Sequence, residues 1–386
     1  MPPRTSAELL ADLVAFDTTS RNPNLELISY VEAYLQDLGI PSERVPDETG
    51  EKANLWATIG PDDVPGIILS GHTDVVPVDG QDWTSDPFTL TERNGRLYGR
   101  GSTDMKGFLA CCLSAVPAMR ERRLARPVHL AFSCDEEVGC VGVRTLLDRL
   151  AERAVKPRFC VVGEPTSMRV MIGHKGKRSM RVSVHGRACH SSLAPQGVNA
   201  VDYAAMLVLK IREIGRRFAQ SGARDEGYDV PYTTAHTGIM AGGTALNIVP
   251  DFCTFDCEFR ALPSDDADAL VEELRRYAKD ELEPEMKAIA PEAGIEIDVF
   301  AAFPGVETRP DEEITRLAQG FAEAEGWGKV AYGTEGGLFQ TRLGVETVIC
   351  GPGSIAQAHK PDEFIARSEL DACDRFIGRL VGWAAG

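Results

Sequence analysis

The sequence predicts an α/β protein of two domains: a mixed, mostly parallel sheet flanked by helices, interrupted by a smaller α+β domain. Three observations predict it. The chain has 386 residues, more than one ordinary hydrophobic core organises. Short β-rich runs alternate with helical patterns up to about residue 162 and again from about 303, the signature of a sheet with helical crossovers. Between them the order changes to β-α-β-β-α-β, that of a ferredoxin-like unit. The boundaries implied are 1–175 and 294–386 for a discontinuous first domain and 176–293 for the insert.

Each element has its own signal. Residues 5–16 and 24–38 carry apolar positions at helical spacing, and the second run stops at Gly39 with Pro41 beyond it. Apolar runs at 53–59 and 66–70 read as strands, 108–120 as a helix, 128–133 as a strand, 141–153 as a helix and 159–162 as a strand. Residues 178–185 alternate like a half-exposed strand, and 198–218 form a long amphipathic helix. Residues 232–240 and 247–262 read as paired strands with a glycine turn at Gly242 and Gly243. A charged helix at 267–282 and a strand at 295–300 complete the insert, and 345–350 is a further apolar strand.

Composition narrows the function. With 43% hydrophobic and 26% charged residues the chain is an ordinary globular protein. Its net charge of -17 argues against nucleic acid, which needs a positive surface. No apolar run reaches the roughly 18 residues of a membrane span, and the first sixteen residues read as mature sequence rather than a signal peptide. Ten scattered cysteines without a CxxC pair fit reduced thiols and a cytoplasmic location.

Five segments carry chemistry. A buried run ends in His72, with Asp74 two residues on; alone this is an ordinary turn. Asp104 lies in a glycine-rich turn before a helix, where it would serve as a cap. Asp135, Glu136 and Glu137 follow an apolar strand and would suit the positive end of a helix dipole. Glu164 ends another strand, and His359 sits in a loop after the apolar strand at 345–350. Taken singly, each has a structural explanation. Together, five strand ends or turns each delivering an acid or an imidazole point to a mixed histidine/carboxylate metal site, a donor set suited to zinc.

These motifs, running in order from about residue 54 to 364, resemble the co-catalytic zinc metallopeptidase and aminoacylase family. That family includes acetylornithine deacetylases, succinyl-diaminopimelate desuccinylases and carboxypeptidase G. The resemblance implies a zinc-peptidase-like catalytic domain and a lid or dimerisation role for the insert. It implies that His72 and Glu164 hold one zinc, that Glu137 and His359 hold the other, and that Asp104 bridges them. Asp74 would orient His72, and Glu136 would be the general base. A non-proline cis peptide would follow the bridging aspartate. Cobalt is an expected substitute for zinc. His190 matches a lid histidine that stabilises the oxyanion, reaching the opposite subunit of a homodimer. His129, His174, His185 and His236 match no ligand motif and read as structural or surface residues.

Substrate features are finer. Asn247 and Arg260 match lid positions that contact substrate in the family, and an arginine suits an α-carboxylate. The runs 333–339 and 351–359 resemble the acetylornithine deacetylases of the family, which implies removal of the acetyl group from N-acetyl-L-ornithine in arginine biosynthesis. Thr334 and Glu335 would then meet the substrate, Glu335 facing a cationic side chain. The alternatives are desuccinylation of succinyl-diaminopimelate, a broader N-acyl-amino-acid amidohydrolase and, from another class, a metal-dependent binding protein without catalysis.

Overall fold

The computed structural model describes residues 3–386. In chain order, α1 (Ser6–Val14) and α2 (Leu25–Asp37) precede strands β1 (Ser42–Pro46), β2 (Ala53–Ile59), β3 (Ile67–His72), β4 (Thr91–Arg93) and β5 (Arg96–Tyr98). Then come α3 (Lys106–Glu121), β6 (Val128–Ser133), α4 (Val143–Ala151), β7 (Phe159–Pro165) and β8 (Met171–His174). A second unit contains β9 (Gly176–His185), α5 (Ala200–Ser221), β10 (Thr234–Gly242), β11 (Phe252–Ala261), α6 (Ala267–Arg276), α7 (Glu283–Ile289) and β12 (Gly294–Phe303). The chain closes with β13 (Val306–Glu307), α8 (Glu313–Ala322), β14 (Gly328–Val330), α9 (Gly336–Leu343), β15 (Glu346–Gly351), β16 (Phe364–Ala366) and α10 (Arg367–Ala385).

Of the described residues, the first unit comprises 3–173, Val306–Lys329 and Thr334–Gly386. Its main sheet runs β1-β2-β6-β3-β7-β15-β8-β13, with β14 beside β8. The four central strands are parallel, whereas β1, β2 and β8 pair antiparallel on the flanks. Strands β3, β6 and β7 are buried along their whole length, as helix-covered strands must be, and this explains their continuous apolar runs. Helix α3 is buried from Lys106 to Leu113, so it lacks the one-sided stripe of a surface helix. At their C-terminal ends β7 and β15 approach so closely that a Cβ on Gly351 would fall 1.9 Å from the Gly163 carbonyl oxygen. Only glycine fits there.

The second unit, His174–Gly305 with Val330–Gly333, builds a fully antiparallel sheet in the order β10-β11-β9-β12. That order and the β-α-β-β-α-β sequence are those of a ferredoxin-like unit. Along β11, Cys253, Phe255, Cys257, Phe259 and Ala261 are buried while their neighbours are not, the alternation of a sheet with one covered face. Helix α5 starts where Asn199 accepts the N–H groups of Val201 and Asp202. Its buried Ala204, Leu207, Ile211 and Ile214 recur at helical spacing.

The sequence places the return to the first unit at residue 294; the chain makes that return at 306. The reason is β12, which pairs with β9 from Gly294 to Phe303, with a bulge at Phe300, and so belongs to the second sheet. The helix expected over 267–282 is also interrupted: a π-helical turn at Tyr277–Leu282 joins α6 to α7. Among the described residues no helix is long and apolar enough to cross a membrane.

Candidate metal centre

Strand β3 lies between β6 and β7 in parallel register, and its last residue is His72, only 1% exposed. Nδ1 of His72 lies 2.8 Å from the Asp74 carbonyl oxygen. A carbonyl only accepts, so Nδ1 carries a proton and Nε2 is left to hold a second proton or a metal ion. That Nε2 lies 3.2 Å from Asp104 Oδ1 and 3.7 Å from Glu164 Oε1. Glu164 comes from the C-terminal end of β7, the strand hydrogen-bonded to β3. Strand ends of this kind form crevices in open α/β sheets, which is why two neighbouring strands supply two donors to one place.

Asp104 sits in the turn before α3, 5% exposed, and the Asp104–Met105 peptide is cis. Its two oxygens face different partners. Oδ1 faces His72, while Oδ2 lies 3.2 Å from His359 Nε2. The same His359 nitrogen is 3.2 Å from Glu137 Oε1. Two clusters of donor atoms result: His72, Glu136 and Glu164 in one, His72, Asp104 and Glu137 in the other, each with its atoms within 4.8 Å. His359 is the exception in exposure, its side chain being half exposed on a loop after β15.

The electrostatics describe a site short of positive charge. Burial pushes the Glu136 carboxyl up to about 8, the neighbouring charges of Glu137, Asp74 and Glu335 adding to the effect against His72. Burial likewise raises Glu137 and raises Glu164 well above the usual range, with Asp104 contributing to both. Burial works against a charged His72 ring, yet the bond to Asp104 and the Glu164 charge outweigh it and raise its pKa well above normal. His359 is pushed up to about 10 by its bonds to Asp104 and Glu137. Such a centre binds protons or other cations to balance its carboxylates. Histidine and carboxylate donors of this kind suit a divalent metal ion.

Asp74 departs from its expected role. Orientation of His72 comes from the Asp74 main-chain carbonyl, while its carboxylate Oδ1 lies 3.6 Å from Nδ1. That carboxylate instead accepts the N–H groups of Glu136 and Glu137 and the Ser20 hydroxyl. It thereby fixes the turn that carries two acids of the site. Cys140 adds a thiol donor 3.2 Å from Glu136 Oε1.

Glu335 and Thr334 depart further. Glu335 is 1% exposed, its two oxygens accepting the hydroxyls of Ser70 at 2.6 Å and Ser133 at 2.7 Å. It ties Ser70 of β3 to Ser133 of β6. Thr334 is buried too, and its hydroxyl accepts the Gly336 N–H at the start of α9.

In the second unit, His190 is exposed at the start of a short 3-10 turn (Ser191–Gln196). Its Nδ1 accepts the Ser192 N–H, so the ring proton of the neutral form is on Nε2 as an outward donor. Asn247 is brought beside it, its carbonyl accepting the Ser191 N–H at 3.0 Å. Arg260 is engaged at one nitrogen: its Nε donates to Glu258 Oε1 at 2.9 Å, two residues along the same face of β11. Of the remaining histidines, His129 is buried and stacked on Trp56, His174 is buried, and His185 and His236 are exposed.

Sequence reasoning missed Ser20, Ser70, Ser133, Cys140 and the pair Arg100–Glu363. The serines and Cys140 carried no signal, Ser70 and Ser133 being ordinary in strands and Ser20 and Cys140 ordinary in turns. Glu363 stood four residues after His359, inside a segment already singled out, and an acid there was readable as a ligand-supporting group.

The profile of Peptidase family M20/M25/M40 matches residues 68–382. The chain is 36% identical to an acetylornithine deacetylase of Myxococcus xanthus over 98% of this chain and 97% of that protein. Among solved structures, it resembles an M20 family metallo-carboxypeptidase of Sulfolobus solfataricus at a TM-score of 0.78, 19% identity and 99% coverage of both chains. It also resembles a dinuclear metal binding peptidase of Bacillus subtilis from the same family, at a TM-score of 0.66 and 16% identity, covering 97% of this chain and 96% of the other.

Proposed function

This chain belongs to Peptidase family M20/M25/M40, and on that premise we propose that it hydrolyses N-acetyl-L-ornithine to L-ornithine and acetate, using two divalent metal ions. The observation that carries the two-ion reading is the division of Asp104, one oxygen toward His72 and the other toward His359, each at 3.2 Å. His72 and Glu164 would hold one ion, Glu137 and His359 the other, with Asp104 shared. The Bacillus subtilis relative's dinuclear character supports this count. Bound there, zinc would polarise the amide carbonyl and bring the pKa of a bound water to about 7.

The chain's own residues supply the rest. Glu136 lies with His72 and Glu164 in one donor cluster, and its raised pKa suits a carboxylate that takes a proton from the attacking water. It then returns that proton to the departing amine. The Cys140 thiol and the two acceptor bonds of Asp74 hold the Glu136 segment still while it does so. In a homodimer His190, with its proton on Nε2, would donate to the developing oxyanion in the opposite subunit. Asn247 would assist in placing the substrate.

The ornithine assignment rests on the Myxococcus xanthus relative. The burial of Glu335 removes this chain's own argument for a cationic side chain, so a broader N-acyl-amino-acid amidohydrolase is the second reading. The test is a panel of N-acetylornithine, succinyl-diaminopimelate and N-acetylmethionine, with metal content measured in parallel. Turnover led by N-acetylornithine at two ions per chain is expected. Comparable turnover of N-acetylmethionine selects the broader activity, and active enzyme free of divalent ions would refute both.

A homodimer is part of the same proposal. Strand β10 is an edge of the second unit's sheet, and its Ile239 and Met240 are 66% and 44% exposed. An unpaired apolar edge is a ready pairing surface. Ile239→Lys is expected to shift the chain from dimer to monomer in sedimentation; a chain that is monomeric without the substitution would end this part.

A further inference from the structure

Besides the ligands proposed above, the first unit buries one more full ion pair. Arg100 and Glu363 are both about 1% exposed at their side chains, with Nη1 2.7 Å from Oε2. Removing two charges from water is expensive, and apolar residues of equal volume hold a core as well or better. Stability alone therefore does not explain the pair; what it holds in place does.

Glu363 Oε1 accepts two main-chain N–H groups, those of Thr103 at 2.9 Å and Asp104 at 3.1 Å. The carboxylate thus grips the peptide of the shared aspartate itself. Two more bonds stitch the same pair of segments: Gly99 N–H to the Glu363 carbonyl at 3.0 Å and the Thr103 hydroxyl to the Phe364 carbonyl at 2.9 Å. Arg100 extends the brace through Gln81 Oε1 at 2.5 Å, and through the Pro77 and Lys360 carbonyls at 3.4 Å each. Glu363 follows His359 by only four residues, so the brace fixes the Asp104 turn against the His359 loop.

The two proposed ion positions differ in how much they need this. His72 and Glu164 stand on β3 and β7, already joined by a parallel ladder in a buried sheet. Asp104 and His359 stand on loops, with His359 half exposed. We propose that Glu363, held by Arg100, is a positioning residue for one metal position only, the one formed by Asp104, Glu137 and His359. This rests on the two-ion reading.

The test titrates metal-free full-length protein with zinc by calorimetry and with cobalt by its visible absorption, for wild type, Glu363→Gln and Arg100→Lys. Wild type is expected to take two ions; fewer than two would sink the two-ion reading and this proposal with it, whereas two ions bound with no one-sided loss in the variants would sink this proposal alone. Glu363→Gln is expected to keep its first ion at near wild-type affinity and to lose about 10- to 100-fold at the second. Arg100→Lys, which keeps the charge but not the planar fork, is expected to show the same one-sided loss at smaller size. If Glu363→Gln does not fold, Arg100→Lys decides alone. Equal weakening at both positions, or at neither, overturns the proposal.

Discussion

In the first unit His72, Asp74, Asp104, Glu164, Glu335 and Glu363 are each at most 5% exposed. In the second unit no carboxylate of the described residues is buried. Its acids stay at the surface in ion pairs such as Arg178–Asp268, Arg187–Glu292 and Arg217–Glu273. The second unit shows that this chain builds a well-packed sheet from alternation and apolar helix stripes alone. The first unit's buried acids are therefore not a requirement of folding. They are a cost borne for a site, and they cluster where strand ends and loops meet.

The contrast predicts a graded set of effects. The largest belongs to Glu136. Replacing it with glutamine is expected to lower kcat about 10²- to 10⁴-fold while metal content stays at the wild-type value; unchanged kcat would remove its role as base. Next is Arg100→Ala, which leaves Glu363 buried without its partner. It is expected to cost about 3–5 kcal/mol in urea unfolding. A loss under about 1 kcal/mol would show that the buried pair behaves like a surface one and would blunt the comparison.

A third effect is a slope in pH. Burial pushes the His129 imidazole down to about 3, with the Arg153 charge adding to it, whereas the unfolded residue titrates near 6.5. Between these values the unfolded chain binds the extra proton, so stability rises with pH. The contribution is complete above about 6.5 and is lost as pH falls toward 3, at about 1.4 kcal/mol per pH unit. His129→Gln is expected to flatten that part of the stability profile. An unaltered slope would place the acid sensitivity elsewhere.

The smallest effect is expected in the second unit. Arg217 makes two bonds to Glu273 at 2.9 and 2.6 Å, yet its side chain is 47% exposed. Arg217→Ala should cost less than about 1 kcal/mol. A larger loss would mean that the second unit also relies on its charges, and the contrast between the units would weaken.

Much of this was legible in the sequence because it depends on local pattern. The strand at 128–133 and the helices near 6–14, 25–37 and 200–221 follow from apolar spacing and caps. The positions of His72, Glu136, Glu137 and Glu164 follow from charged residues ending apolar runs. The boundary drawn at 293 fell short because it stopped before the strand read at 295–300, whose pairing with β9 carries the second sheet to residue 303.

The sequence by itself determined which residues stand at the ends of buried strands, since hydrophobic period and turn chemistry act over a few positions. It also determined the donor types gathered there. Tertiary structure alone decided which oxygen meets which nitrogen: that Asp104 turns one oxygen to His72 and the other to His359. It decided that Glu335 binds Ser70 and Ser133 and that Glu363 grips an amide 259 residues away. Neighbouring carboxylates differ in role by a few ångströms of placement. That placement is set by the crossing of distant loops, which no local pattern records.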